Sequence, residues 1–214
     1  MRGSYSKGMD SREHIINSAR ELFNNHGIGI TLANLASTMD ISLGMLTYHF
    51  PTKDSLFLAI ALEYEQKRTA QRTRDYTGAF SLDIFFNIIG KAMDLQYDYR
   101  CAMRYITSSS NNQSELSAHT TEHYKLNRNL IRQGVSALVT SNELQSTILD
   151  ESNFKVFLFT FTSLLTTWTI NLEIYDHEKA YEEMKPIYLT GIFSTFLPYC
   201  TELGKEALRK VGIS

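Results

Sequence analysis

The chain has 214 residues and a formal net charge of −2, and 43% of its residues are hydrophobic. This balance is typical of a folded globular protein, since a disordered chain has fewer apolar groups and a larger net charge. The 11 glycines and 3 prolines are about half the usual combined share of roughly 12%. A protein of many short strands needs more of both residues for its turns. The composition therefore argues against sandwiches and barrels and predicts an all-α fold.

The cysteines and the apolar runs indicate a cytoplasmic protein. Cys101 and Cys200 form neither a disulfide framework nor a CxxC pair, which is typical of a reducing compartment. Residues 1–14 contain no apolar run of the kind found in secretory signals. The longest charge-free run, residues 156–172, is short for a membrane span and rich in threonine, so we expect a buried helix and no membrane partner.

The first third of the chain carries capping signals for four helices, predicted over residues 10–26, 32–39, 43–50 and 53–74. Thr31 and Ser42 are candidate N-caps of the second and third helices. Pro51 ends the third helix, because its ring and missing N–H forbid continuation. Thr52 can then cap the fourth.

The remaining chain predicts five further helices, over residues 82–97, 100–107, 115–140, 151–175 and 178–199. The last two are apolar nearly all round, and such helices are buried on more than one side. We expect one side to face the core and the other to face a second copy, which predicts a homodimer through these two helices. The alternative is an internal hairpin in a monomer.

Residues 32–51 have the pattern of a helix-turn-helix. Ala36 is small where two helices would cross, and Leu35, Leu46 and Phe50 are apolar at the spacing that packs short helices together. Asp40 lies in the turn, where a residue that tolerates positive φ is needed. Helices this short are marginal alone, so we expect a packed pair that presents one helix outward.

The motifs around this pair are specific: Phe23-x3-Gly27, Thr31-x3-Leu35-Ala36, Ile41-Ser42-x-Gly44 and Leu46-x-Tyr48-His49-Phe50-x-x-Lys53-x-x-Leu56. By them residues 11–57 resemble the DNA-binding head of the TetR (tetracycline-repressor) family of bacterial transcriptional regulators. The resemblance implies an all-α homodimer that binds a palindromic operator and is released by a small molecule. It implies a helix-turn-helix DNA-binding domain at 9–57, a connecting helix at 58–75 and an effector-binding and dimerisation domain at 76–214, with no cofactor.

The resemblance also implies the residues that contact double-stranded DNA. Leu43–His49 would be the recognition helix, and the candidate contacts are Thr31, Ser42, Leu43, Gly44, Met45, Thr47, Tyr48, His49 and Lys53. Three positions depart from the family pattern: Asp40 replaces a glycine, Thr47 an aromatic residue and Leu43 a polar or basic one. They bear on the operator sequence more than on the fold. Residues 1–56 carry five basic and five acidic groups, so we expect a modest salt dependence of binding.

Two other classes of function compete with a DNA-binding regulator. His119, Glu122 and His123 have the H-x-x-E-H pattern of inverted zinc proteases, which would make the protein a metal-dependent hydrolase. A protease needs a third ligand and a cleft, so we favour two interior histidines and a protein that is not an enzyme. The third alternative is a helical adaptor that does not bind DNA.

An effector pocket is expected between the helices of the C-terminal part. Such pockets combine aromatic walls with a few polar anchors. The candidate lining residues are Phe86, Met93, Tyr97, Tyr105, His119, His123, Tyr124, Phe157, Phe161 and Trp168.

Overall fold

The computed structural model describes residues 3–75, 80–108 and 115–213, without the side chains of residues 3–10, 73–75, 107, 115–117, 119–120 and 123–124. Within these residues the protein consists of α-helices joined by short turns, and the predicted all-α fold is confirmed. The helices are α1 (Gly3–His26), α2 (Leu32–Thr38), α3 (Leu43–His49), α4 (Lys53–Asp75), α5 (Leu82–Asp98), α6 (Arg100–Ser108), α7 (Glu115–Thr140), α8 (Glu151–Ile174), α9 (Tyr181–Ser194) and α10 (Glu202–Lys210), with 3-10 turns at Ser146–Leu149 and Leu197–Tyr199.

The N-terminal helices lie close to the predicted positions, with one correction. The α2 and α3 bounds agree with the predicted ones to within one residue, and Thr31 and Ser42 are their N-caps. The prediction that the first helix begins at Asp10 was wrong, because α1 begins at Gly3. Residues 3–9 contain no proline, so nothing in the backbone stops the helix before Asp10.

At the C-terminal end one prediction was wrong and one helix was missed. The last predicted helix, over residues 178–199, spans only Tyr181–Ser194. Pro198 lies in the following 3-10 turn, Leu197–Tyr199, and its ring and missing N–H disfavour an α-helix through that position. The sequence analysis missed α10, although its signals are present: the Thr201 hydroxyl accepts a hydrogen bond from the Gly204 N–H at 3.2 Å, and Arg209 and Lys210 lie in its last turn.

The chain divides into two compact units that do not follow chain order. The first comprises Met1–Thr69 and Leu95–His123, and the second Ala70–Asp94 and Tyr124–Ser214. The first unit has a continuous core in which residues of α1 to α4 pack with Tyr99, Cys101 and Ala102. The expected functional boundaries at residues 57 and 75 stay a prediction.

The second unit is built around an aromatic core. Phe85 and Phe161 are buried, with ring centroids 5.9 Å apart, and Phe193 lies 5.5 Å from Phe85. In this unit α8 packs against α9, and an isolated antiparallel bridge joins Leu144 to Cys200. No helix in the described part of the chain is long and apolar enough to cross a membrane.

Candidate nucleic-acid interface

The α2–turn–α3 segment is fixed by local hydrogen bonds. The Thr31 hydroxyl accepts from the Asn34 N–H at 3.2 Å, and the Ser42 hydroxyl accepts from the Met45 N–H at 3.0 Å. In the turn, the Ile41 N–H donates to the Ala36 carbonyl at 3.0 Å and Asp40 has a φ of 55°. Asp is one of the few residues that adopt this left-handed conformation at low cost. The prediction that Asp40 serves as the turn residue is confirmed.

Packing of α3 against the first unit leaves its other face exposed. Leu46 is fully buried and Phe50, the residue after α3, is 1% exposed. On the outward face Tyr48 is 83% and Met45 38% exposed, and Leu43 is 45% exposed at the N-terminal end of α3. Apolar residues grouped on an exposed face, unlike single scattered ones, mark a contact surface. The unit therefore presents Leu43, Gly44, Met45 and Tyr48 for an external contact.

Thr47 and His49 lie on the flanks of α3 and are half-buried. The Thr47 hydroxyl donates to the Leu43 carbonyl at 2.9 Å, one turn earlier in the same helix. The His49 ring lies edge-on to the Tyr48 ring, with centroids 5.2 Å apart. Both side chains reach the surface beside the outward face.

Lys53 lies at the start of α4 but is not wholly free. Its ammonium donates a hydrogen bond to the Ile28 carbonyl and lies 5.5 Å from the centroid of the Phe23 ring. Desolvation by burial lowers the pKa of Lys53 below its usual value. An ammonium has three donors, so this contact leaves two for a phosphate.

Arg12 is a residue that the sequence analysis did not select. It is exposed on α1, and its guanidinium lies 5.1 Å from the centroid of the Phe50 ring. This contact places a cation beside the C-terminal end of α3. No sequence spacing marks it, because α1 and Phe50 meet only through the tertiary fold.

Residues 98–105 are tied to α1 and α4 within the first unit. The Asn24 side chain donates to the Asp98 carbonyl at 2.8 Å and accepts from the Cys101 N–H at 3.0 Å. Tyr105 stacks on Phe57, with centroids 3.8 Å apart, and its hydroxyl donates to the Asp54 carboxylate at 2.5 Å. These contacts connect α6 directly to the first turns of α4.

A polar cluster makes a second connection further along α4. The Tyr99 hydroxyl donates to the Glu63 carboxylate, and the Lys67 ammonium donates to the Tyr99 hydroxyl, each at 2.7 Å. Burial alone would raise the pKa of Glu63, but the hydrogen bonds from Lys67 and Tyr99 bring it below its usual value. The Arg20 guanidinium lies 4.6 Å from the Tyr99 ring centroid, so α1 joins the same cluster.

The candidate pocket residues are distributed as follows. Tyr97 and Tyr105 belong to the first unit, where the Arg100 guanidinium lies 4.3 Å from the Tyr97 ring centroid. In the second unit Met93, Phe157, Phe161 and Trp168 are buried and Phe86 is half-buried. His119, His123 and Tyr124 lie in α7, but their side chains lie outside the described residues. The pocket stays a prediction.

The metal-site hypothesis concerned His119, Glu122 and His123. Glu122 is exposed, whereas the two histidine side chains lie outside the described residues. Among the side chains that are described, no group of three or more His, Cys, Asp or Glu could hold a metal ion.

The geometry on α2 and α3 is that of a helix-turn-helix whose second helix keeps one face exposed, the arrangement found in helix-turn-helix DNA-binding proteins. Residues 15–60 match the family model of bacterial regulatory proteins, tetR family. The helix-turn-helix part of the chain is therefore similar to the TetR family of bacterial regulatory proteins. Among curated proteins no match was found.

Solved structures support the same fold over nearly the whole chain. A TetR-family transcriptional regulator from Marinobacter aquaeolei VT8 is 22% identical with a TM-score of 0.81, over 94% of this chain and 96% of its own. The TetR family protein CprB from S. coelicolor A3(2) is 16% identical with a TM-score of 0.68, over 97% and 100%. SmeT in complex with triclosan is 14% identical with a TM-score of 0.63, over 90% and 93%. At these identities the likeness establishes the fold alone.

Proposed function

We propose that this protein is a repressor that binds a palindromic operator as a homodimer and is released by a small molecule. Each copy places α3 in the major groove. The proposed contacts are those implied by the sequence: Thr31, Ser42, Leu43, Gly44, Met45, Thr47, Tyr48, His49 and Lys53. To them we add Arg12, whose guanidinium lies beside the end of α3.

The observation that carries the DNA-binding proposal is the outward face of α3. A surface helix used only for packing exposes mainly charged and polar residues, whereas the exposed side chains of α3 include Leu43, Met45 and Tyr48. Phosphate contacts from Lys53 and Arg12 would set the orientation of the head, and the α3 side chains would meet the base edges.

A second copy is proposed to cover α8. Val156, Phe159, Ile170 and Ile174 are exposed at 64%, 72%, 38% and 59%, and their spacing puts them on one face of this helix. In α9, Ile187 is 60% exposed. Exposed apolar residues along two packed helices are typical of an isologous interface. Such pairing also gives the two heads that a palindrome requires.

Sedimentation equilibrium of the full chain tests the dimer. Phe159→Asp puts a charge into the proposed interface, and we expect it to shift the protein to monomer at micromolar concentration. Leu203→Asp is the matched control, since Leu203 is 49% exposed on α10. A wild-type protein that sediments as a monomer would contradict the proposal.

Release by a small molecule is supported by two kinds of solved neighbour. SmeT was solved with triclosan, and another neighbour is a gamma-butyrolactone receptor. For this chain we propose an effector bound among the aromatic residues of the C-terminal part. Because ligands shift an equilibrium only by differential affinity, the effector must bind the conformation that releases DNA more tightly. The predicted change is a shift of α4 that alters the separation of the two heads from the roughly 34 Å of one helical turn.

Selection of bound duplexes from a random pool is the experiment that tests the function. We expect enrichment of a palindrome with half-sites one helical turn apart. Tyr48→Ala removes one hydrogen-bonding group from each half-site, worth about 1 kcal/mol each, so the dimer should bind roughly thirtyfold more weakly. Tyr175→Ala is the matched control, because Tyr175 is 77% exposed in the second unit. If no duplex is enriched, or if Tyr48→Ala binds like the wild type, the proposal is wrong.

A further inference from the structure

We propose that the operator half-sites are read mainly through the 5-methyl groups of thymine, which Leu43, Met45 and the Thr47 methyl group contact in the major groove. This inference rests on the proposed function and names the chemistry by which the same site selects its DNA. The DNA that the exposed apolar residues of α3 bind is therefore an A·T-rich half-site.

Apolar side chains lie at the N-terminal end of α3 and on its exposed side. Leu46 and Phe50 point into the core, and at 100° per residue the opposite side of the helix carries Gly44, Met45 and Tyr48. Leu43 lies at the N-terminal end, where it is 45% exposed. In a helix-turn-helix the N-terminal residues of the second helix contact the bases, so Leu43 and Met45 would be the first side chains to meet them.

The same face has little capacity for hydrogen bonds to bases. The sequence of α3, Leu-Gly-Met-Leu-Thr-Tyr-His, contains no Arg, Lys, Asn, Gln, Asp or Glu. The side chains that make bidentate contacts with guanine or adenine are therefore absent from it. The Thr47 hydroxyl proton is engaged with the Leu43 carbonyl at 2.9 Å, and the Ser42 oxygen caps the Met45 N–H at 3.0 Å. Tyr48 and His49 are polar, but they lie in the last turn.

The major groove offers one apolar group to such a face. Guanine, cytosine and adenine present polar atoms there, whereas thymine presents its 5-methyl group beside an acceptor. A leucine or methionine side chain gains by covering this methyl group and loses by covering unpaired polar atoms. Apolar side chains therefore discriminate in favour of thymine even though they form no hydrogen bond.

Gly44 supplies an independent indication that a surface comes close to this face. It lies in the first turn of α3 without the positive φ that would require glycine, and a Cβ built there would meet nothing nearer than the Ser42 Oγ at 4.0 Å. The fold itself thus has room for a side chain. The absence of a side chain between Leu43 and Met45 lets the helix backbone approach the base edges. This approach brings the Leu43 and Met45 side chains into contact with the bases.

The test replaces thymine by uracil, which removes the methyl group and leaves base pairing unchanged. With the full-length protein and a duplex obtained by selection, we expect thymine-rich half-sites. Covering one methyl group is worth about fourfold in affinity, so uracil at one contacted position in both half-sites should weaken binding roughly fifteenfold. Uracil at the same number of positions outside the half-sites is the control.

A protein variant tests the same contacts from the protein side. Leu43→Ala combined with Met45→Ala should discriminate less between the thymine and uracil duplexes than the wild type does, because only the Thr47 methyl group remains. Both residues are partly exposed, so their loss leaves the buried side of α3 intact. The melting temperature of the variant verifies its folding. Equal binding of both duplexes by the wild type, or selected half-sites made of G·C pairs, would overturn the methyl readout while leaving DNA binding in place. Failure to select any duplex would overturn the proposed function itself.

Discussion

Replacing Gly44 by alanine should change the stability of the protein and its affinity for DNA in opposite directions. The added methyl group meets no atom nearer than the Ser42 Oγ at 4.0 Å, which is an ordinary van der Waals contact. Alanine favours a helix over glycine by up to about 1 kcal/mol, and in the first turn of a seven-residue helix we expect about half of that. The melting temperature should therefore rise by about 1–2 °C.

The same methyl group should weaken binding to DNA. If the backbone at Gly44 approaches the base edges, an extra methyl group overpacks each half-site, at a cost of about 1–3 kcal/mol. A dimer meets this cost twice, so the loss should be about 2–6 kcal/mol, at least thirtyfold in affinity. A methyl group thus raises the stability of the protein and lowers its affinity for the operator.

The assay combines thermal unfolding with fluorescence anisotropy on a selected duplex. Gly29→Ala is the control, because a Cβ there meets nothing within 4 Å and Gly29 lies outside α3. Unchanged DNA affinity in Gly44→Ala would refute the close approach of the helix backbone to the bases. A lower melting temperature would refute the local geometry described for α3.

Three further results are expected. Gly204→Ala should lower the stability by at least about 2 kcal/mol, because the added Cβ would lie 2.1 Å from the Glu143 carbonyl oxygen. The measurement is the melting temperature. Gly191→Ala is the control and should leave the melting temperature unchanged, since a Cβ there meets nothing within 4 Å. Burial raises the pKa of Cys101 and of Cys200 to about 11, so at pH 8 roughly one thiol in a thousand is the reactive thiolate. A thiol reagent should therefore label both cysteines slowly in the native protein. Rapid labelling of the native protein would contradict this. If Arg12 and Lys53 are the phosphate contacts, a dimer neutralises about four phosphates. The logarithm of the DNA-binding constant, measured by anisotropy and plotted against the logarithm of the salt concentration, should then have a slope of about −3.6. A slope of about −7 would show that other cations contribute.

Local signals account for the parts of the fold that the sequence predicted well. The bounds of α2 and α3 follow from Thr31, Ser42 and Pro51, each of which acts on its own neighbours through a hydrogen bond or a missing N–H. The turn conformation of Asp40 follows in the same way from the few residues that tolerate positive φ. The exposed face of α3 could be inferred because its buried residues recur one turn apart.

The parts that were not predicted depend on residues distant in sequence. The stacking of Tyr105 on Phe57 and the hydrogen bond of its hydroxyl to Asp54 join residues more than forty positions apart. The contact of Lys53 with the Ile28 carbonyl and the position of Arg12 over Phe50 likewise require the folded unit. By contrast, α10 was missed although Thr201 precedes it as an ordinary capping residue, and the end of α9 was misplaced although Pro198 follows it.

The packing of residues 98–105 with the N-terminal helices limits how this protein can be recombined with its relatives. Tyr99 and Cys101 are at most 1% exposed in the same core as Phe23 and Phe57, so a fragment cut after residue 57 would leave a hydrophobic hole where they belong. A chimera that exchanges DNA specificity should transplant residues 98–105 together with α1 to α4. For this fold the portable module is discontinuous in the gene although it is continuous in space.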